Sequence, residues 1–433
     1  MNLTEDLFID TGYSQCCHFE EKACGDAVAF KRIIPEERLL AVMADGLGHG
    51  VKANILALMT TTMALRFVAE DREIVHSAEI IMDALPVCRV RHISYATFTI
   101  VDTRLGGLTR VVEMGNPEFI LLRGGKPLEI DGREFASPKY RDRTMTAYSF
   151  QVQPQDRLIF FSDGVSQAGL GTPDFPLGWR NSGVREYVLK QVAEKPDISA
   201  QELSERILRE AIAHEPGLRP KDDITAVCLY YREPHKMLLF TGPPFDQNRD
   251  AECARMLKAF PGTKVICGGT SAEIIARELN LPLTVDLNTM GGDLPPMSRM
   301  PGIDLVTEGI FTLSRAATYL EKGDHAKLDP AQQLVELMRR HDIIEFVVGT
   351  RINEAHQDPN LPIDLELRRN IIRRLETERS PHYICMNLRT PGKRTEQAKN
   401  RVLFLSSSRV FFPVDSFFFN LVQKYELAGL VFF

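Results

Sequence analysis

The residues best suited to chemistry are aspartates beside glycine. "ADGLGHGVKA" (44–53) sets Asp45 among Gly46, Gly48, His49 and Gly50, then runs directly into an apolar stretch. A plain turn needs one glycine. Three within five positions bring backbone close to something small, and the aspartate marks that something as positively charged. Asp45 has company. "CGD" places Asp26 at the start of a strand, "FFSDGVSQAG" places Asp163 directly after one, and "KDDITAVCLYY" places Asp222 and Asp223 just before another. A carboxylate at a strand end is rigidly held yet open to water. Hard oxygen ligands without a His/Cys set select Mg²⁺ or Mn²⁺ over zinc. Two such ions, about 4 Å apart, activate a hydroxide and aim it at phosphorus. Singly, Asp-Gly is a common turn; four such sites, each at a strand edge, go beyond turn chemistry.

The elements that must position these residues come mostly as strands. "DAVAFKRI" and "RLLAVMA" form a hairpin signal around "IPEE" with Pro35 in the turn. Residues 51–68, "VKANILALMTTTMALRFV", carry too few polar groups for a wet face and read as a mostly buried helix. "YATFTIV", "LTRVVEM", "PEFILLR", "TAYSFQV" and "RLIFFS" follow as strands. "SAQELSERILREAIA" is an amphipathic helix with Ser199 and Glu202 in capping-box spacing, before a last strand ending near Tyr231. This is α+β grammar with an antiparallel sandwich.

At "REPHK" (232–236) the pattern changes to alternating short strands and helices, "MLLF", "KVIC" and "LTVD" among them, as in βαβ units. Three segments are expected: 1–233, an α/β domain at 234–378 with a mostly parallel, Rossmann-like sheet, and an irregular Phe-rich extension at 379–433. At 433 residues the chain is too long for one ordinary core. The net charge of -6 implies no basic face for nucleic acid. No basic and apolar leader opens the sequence and no apolar run reaches membrane-spanning length, so a cytoplasmic protein without a membrane partner is expected. The eight cysteines make no CxxC pair, so reduced thiols are expected rather than a zinc or disulfide framework.

From about Asp10 to Tyr231 the chain resembles the bacterial PP2C-type (PPM) serine/threonine phosphatases of the SpoIIE family. The resemblance rests on "CGD", "MADGLGHGVKA", "ISYATFTIVD", "EMGNPEFILLRGGK", "FFSDGVSQA" and "DDITAV" in this order. It implies an αββα sandwich with a dinuclear Mn²⁺ or Mg²⁺ site between the sheets. By the same resemblance Asp45 bridges both ions and the Gly46 carbonyl binds one. Asp163 and Asp222 hold the second ion, Asp26 anchors the waters around the metals, and Asp223 supports the site. His49 is a candidate proton donor, with helix capping or loop packing as its other reading. Where the eukaryotic branch has a phosphate-binding arginine, this sequence offers only Lys22, which reads as a solvated lysine. The resemblance also links the helix after Asp45 to switching between inactive and active states.

In the second segment, glycine-bearing loops follow expected strands: "TGPPFD", "CGGTSAE", "VTEGIFTLS" and "VGTRINEAHQD". In a parallel sheet such loops gather at the carboxyl edge. Gly268, Gly269, Thr270 and Ser271 open a helix whose free N–H groups suit an anion. Thr307, Glu308 and Thr312 could face the same ligand. Glu354, His356 and Asp358 alternate as metal ligands can, or simply form a polar loop. The leading expectation is a metal-dependent phosphatase acting on phosphoserine or phosphothreonine of a regulatory protein, which the resemblance suggests is an anti-sigma factor antagonist. The alternatives are a non-catalytic signalling scaffold whose α/β domain senses a small anionic ligand, and a small-molecule enzyme in that domain. A homodimer is a candidate assembly.

Overall fold

The computed structural model describes residues 7–33, 36–70, 73–84, 96–136, 144–244, 246–286, 294–322, 329–349, 368, 370–375 and 385–389. In chain order the first half comprises β1 (Phe8–Cys16), β2 (Asp26–Ile33), β3 (Arg38–Gly46), α1 (Gly50–Ala69) and α2 (Ile74–Ala84). Then come β4 (Ala96–Arg104), β5 (Leu108–Met114), β6 (Ile120–Arg123), β7 (Lys126–Pro127), β8 (Arg133–Ala136), β9 (Thr144–Gln151) and β10 (Arg157–Phe161). α3 (Asp163–Ser166), α4 (Arg180–Glu194), α5 (Ala200–His214) and β11 (Ile224–Arg232) complete it.

These strands form two sheets, β2-β3-β4-β5-β9-β8 and β1-β11-β10-β6-β7, with every pairing antiparallel. Strand alternation builds the layers. On β3, Leu39, Ala41 and Met43 face Leu158, Phe160, Val227 and Leu229 of the other sheet. The intervening Leu40, Val42 and Ala44 pack on Ala57, Ala64 and Val68 of α1. On the opposite sheet, Ile159, Phe161, Ala226 and Cys228 meet Val184, Val188, Leu203 and Ile207 of α4 and α5. The order helix, sheet, sheet, helix is the expected αββα sandwich. Ser199 caps α5 by accepting the Glu202 N–H at 3.1 Å, as its spacing predicts. The carboxylate of Glu202 turns instead to Lys195 and Arg206, so the reciprocal half of the capping box is not made.

The helix after Asp45 departs from expectation. α1 buries a stripe of mostly small residues, Gly50, Ala53, Ala57, Thr60, Thr61 and Ala64, with Val68 at its end. Its large apolar residues Val51, Ile55, Leu58 and Met59 are exposed. By length and composition α1 is also long and apolar enough to cross a membrane, although the sequence reading found no such run. The reason for the difference is close packing: a small-residue face lets the helix sit directly on β3, and apolarity alone cannot say which face is covered.

The third sheet lies beyond residue 235. It contains β12 (Lys236–Thr241), β13 (Thr263–Cys267), β14 (Thr284–Val285), β15 (Ser298–Arg299), β16 (Leu305–Thr307), β17 (Ile343–Val348) and β18 (Cys385–Arg389). α6 (Asp250–Ala259), α7 (Gly269–Leu279), α8 (Ile310–Lys322) and α9 (Pro330–Arg340) accompany it. The order β16-β13-β12-β17-β18 is parallel throughout, and β12 has hydrophobic cores on both faces. "LTVD" makes only a two-residue strand, antiparallel to β15. β18 falls within the stretch expected to be irregular, so that reading is corrected for Cys385–Arg389.

Candidate metal centre

The first sheet sets two of the acids face to face. In the antiparallel register of β2 and β3, Asp26 is the direct cross-strand partner of Asp45. β3 ends against α1 so tightly that a Cβ on Gly46 would stand 2.1 Å from the Ala53 carbonyl oxygen, so glycine is required there. The Gly46 N–H donates to the Gly25 carbonyl at 3.1 Å, which closes the loop. Across the sandwich, Asp163 begins α3 and Asp222–Asp223 precede β11. These two turns also touch: a Cβ on Gly164 would meet the Asp223 carbonyl oxygen at 2.2 Å.

The carboxylates perturb one another. Burial pushes Asp45 well above the ordinary range, and the charges of Asp26, Asp163, Asp222 and Asp223 push it further. Asp26 is 1% exposed. It is raised to about 8, chiefly by burial; the hydroxyls of Thr225 and Ser162 beside it partly offset the shift, and the charges of Asp223 and Asp222 add to it. Neither of its carboxylate oxygens has a well-formed hydrogen bond among the described residues. Asp163 is raised by burial despite accepting a bond from Gln167 Nε2 at 2.8 Å. Asp222 reaches about 6, through burial and then Asp163. Five acids whose charges reach one another, with orphaned oxygens on Asp26 and Asp223, form an unsatisfied anionic pocket that fits bound cations.

The loop of residues 17–25 lies over this pocket. Its His18 N–H donates to Asp223 Oδ1 at 3.0 Å and its Phe19 N–H to the Pro220 carbonyl at 3.0 Å. The His18 imidazole is near enough to lower the Asp222 pKa. His49 stacks on His18 with ring centroids 4.6 Å apart, and its Nδ1 lies 2.8 Å from Glu21 Oε1. His49 occupies the N-cap position of α1 without a side-chain capping bond, so of the two bland readings only loop packing applies. Lys22 is exposed, as is Arg219, whose guanidinium lies 4.7 Å from the Phe19 ring centre.

The two-sheet, four-layer domain, with its acids at the strand ends, has the αββα architecture that the sequence resemblance implies. The family model described as Stage II sporulation protein E (SpoIIE) matches residues 35–232. This part of the chain is similar to the SpoIIE family. Among solved structures, the chain is similar to the phosphatase domain of SpoIIE from Bacillus subtilis, at 15% identity over 53% of this chain and 94% of that one, TM-score 0.39. It is likewise similar to RsbX in complex with magnesium, at 20% identity over 52% and 95%, TM-score 0.36. A third is the PPM Ser-Thr phosphatase MsPP from Mycobacterium smegmatis, at 17% over 51% and 97%, TM-score 0.35. No curated protein matches the chain.

Asp26, Asp163, Asp222 and Asp223 all act electrostatically on Asp45. His18, Ser162 and Thr225 are the neighbours that sequence reasoning missed. His18 stands in a loop without periodicity, and the two hydroxyls reach Asp26 only through sheet packing. In the second segment, Gly268 is corrected as an anion donor: its N–H is taken by the Thr307 carbonyl at 2.8 Å. Ser271 is 1% exposed, and the Thr307 hydroxyl bonds internally to Glu308 O and Cys267 Sγ, which leaves neither hydroxyl open to a ligand. Gly269 and Thr270 stay in the first turn of α7. Glu354, His356 and Asp358 lie outside the described residues.

Proposed function

We propose that the first domain is a metal-dependent phosphoprotein phosphatase for phosphoserine or phosphothreonine on a regulatory protein. The observation carrying this reading is the perturbation of Asp26, Asp45, Asp163 and Asp222, to which the charge of Asp223 contributes, at the rim of a domain that matches the SpoIIE family model. Asp45 and the Gly46 carbonyl, with Asp163 and Asp222, would hold two Mn²⁺ or Mg²⁺ ions. When bound, such ions activate water at neutral pH and neutralise phosphoryl charge. Asp26, held rigidly by its pairing with Asp45, orients water at the edge of the site. Lys22 and Arg219, on the exposed rim, attract the phosphorylated segment. An anti-sigma factor antagonist is the substrate class we favour, by analogy with the family.

The assay is phosphate release from p-nitrophenyl phosphate and from a phosphoserine protein, with Mn²⁺ or with EDTA. Release is expected to need the metal and to be lost in Asp45→Asn with the fold retained. Metal-dependent release that survives in that variant overturns the reading.

A second reading concerns residues 234–378. The parallel strands run in the order 3-2-1-4-5, which places a topological switch point between β12 and β17. The loops after these two strands meet there: Gly349 N–H donates to Thr241 O at 2.8 Å, and a Cβ on Gly349 would stand 2.1 Å from Pro243 O. A small anionic ligand sensed at this crevice, rather than at Gly268, Gly269, Thr270 and Ser271, is the regulatory function we assign. Thermal-shift titration of the full chain with nucleotides and sugar phosphates tests it, and no shift with any of them counts against it.

A further inference from the structure

At the edge of the carboxylate pocket, one cluster that shares Asp223 with it has metal-ligand chemistry of a different kind. The Sγ atoms of Cys17 and Cys24 and a carboxylate oxygen of Asp223 all lie within 4.8 Å of one another. The topology forces this meeting. Cys17 follows the last residue of β1, and Cys16 pairs in register with Ile224, which brings Cys17 opposite Asp223. Cys24 stands two residues before β2, and the position of a Cβ on its neighbour Gly25 would be 2.6 Å from Asp223 Oδ2. That oxygen is buried and without a hydrogen-bond partner among the described residues, on a side chain 2% exposed. Asp223 Oδ1 is held by the His18 N–H, so the carboxylate cannot rotate freely to satisfy it.

We propose that Cys17, Cys24 and Asp223 form a separate cation site for a thiophilic divalent ion of the zinc class. Bonds of about 2.3 Å to sulfur and about 2.1 Å to oxygen set ligand–ligand separations of roughly 3.5–3.8 Å in a tetrahedron, so rotamer adjustments of about 1 Å close the site. Water completes the fourth position. The softness of two sulfurs distinguishes this site from the all-oxygen pocket beside it. A thiol binds such an ion as the thiolate, so proton release accompanies metal uptake. A bound ion would tie the loop carrying His18 and Lys22 to the start of β11. The inference shares Asp223 with the carboxylate pocket but does not require phosphatase activity, because it needs only these three side chains.

The test uses the reduced full chain, without oxygen and with saturating Mg²⁺, titrated with Co²⁺ and then with Zn²⁺ against a chromophoric chelator. One equivalent is expected to give a thiolate-to-metal charge-transfer band that Zn²⁺ displaces. Cys17→Ser/Cys24→Ser is expected to abolish the band, and Asp223→Asn to weaken Zn²⁺ by more than the about 10–100-fold that outer-shell partners cost. Asp45→Asn and Cys253→Ser should keep the band, which separates this site from the carboxylate pocket and controls for the fold. A wild-type chain without the band overturns the proposal. So does a band that persists in the double serine variant, or one that disappears with Cys16→Ser but not with Cys17→Ser.

Discussion

Asp26→Asn should make the metal-free protein more stable and the metal-loaded protein less functional. Asp26 is driven from an ordinary 3.8 to about 8 because its carboxylate is buried without good hydrogen bonds. A raised carboxyl pKa contributes stability that is fully present below the unfolded value and is lost as pH rises through the folded one. Between pH 3.8 and pH 7 that loss spans about three pH units at ~1.4 kcal/mol each, or ~4 kcal/mol. Asparagine never charges, so it escapes the loss. Asp45 and Asp163 compete for the same protons, which lowers the expected gain to about 1–4 kcal/mol at pH 7. Near pH 4 the two proteins should be equally stable. Urea unfolding in EDTA at the two pH values measures this. With Mn²⁺ at about 100 times its dissociation constant the wild type should gain about 2.7 kcal/mol, and the variant less. The reasoning is refuted if Asp26→Asn is the less stable protein in EDTA at pH 7, or if Mn²⁺ stabilises both equally.

Other substitutions probe the supports of the site. Gly46→Ala forces a Cβ into the Ala53 carbonyl and should cost about 3 kcal/mol in urea unfolding; a cost below about 1 kcal/mol would mean that α1 lifts off β3 easily. Arg38 is 2% exposed, with bonds of 2.7 and 3.0 Å to Asp102 and 2.9 Å to the Val68 carbonyl. Arg38→Ala should therefore cost about 3–5 kcal/mol by stranding Asp102, and Arg38→Met/Asp102→Leu should cost less. Ile55→Ser and Leu58→Ser on the exposed face of α1 should each change stability by no more than about 0.5 kcal/mol, and a larger loss would show that this face is covered in solution.

Much of this was legible in the chain alone, for local physical reasons. Strand alternation such as Leu39–Met43 against Leu40–Ala44 reports a two-faced sheet, and the Ser199 cap depends on a neighbour three residues away. Aspartates at the ends of apolar runs, Asp45 and Asp163 among them in Asp-Gly pairs, marked the acids, because a strand end anchors a carboxylate. The helix after Asp45 was legible as a helix but not as to its covered face, since its composition is apolar all round.

What only the tertiary structure decided is which side chains meet across long sequence separations. Asp26 faces Asp45 through strand register, but Asp163, Asp222 and the hydroxyls of Ser162 and Thr225 arrive from the opposite sheet. The resulting burial and mutual repulsion are properties of the assembled pocket, and no single motif contains them. The same holds for Cys17, Cys24 and Asp223, which lack any metal-binding spacing in sequence and converge because β1 pairs with β11. In the parallel sheet, too, the glycine loops were visible as loops, while strand order determined that those after β12 and β17 share the crevice. Short-range chemistry is written along the chain; electrostatics and ligand geometry depend on distances that only packing sets.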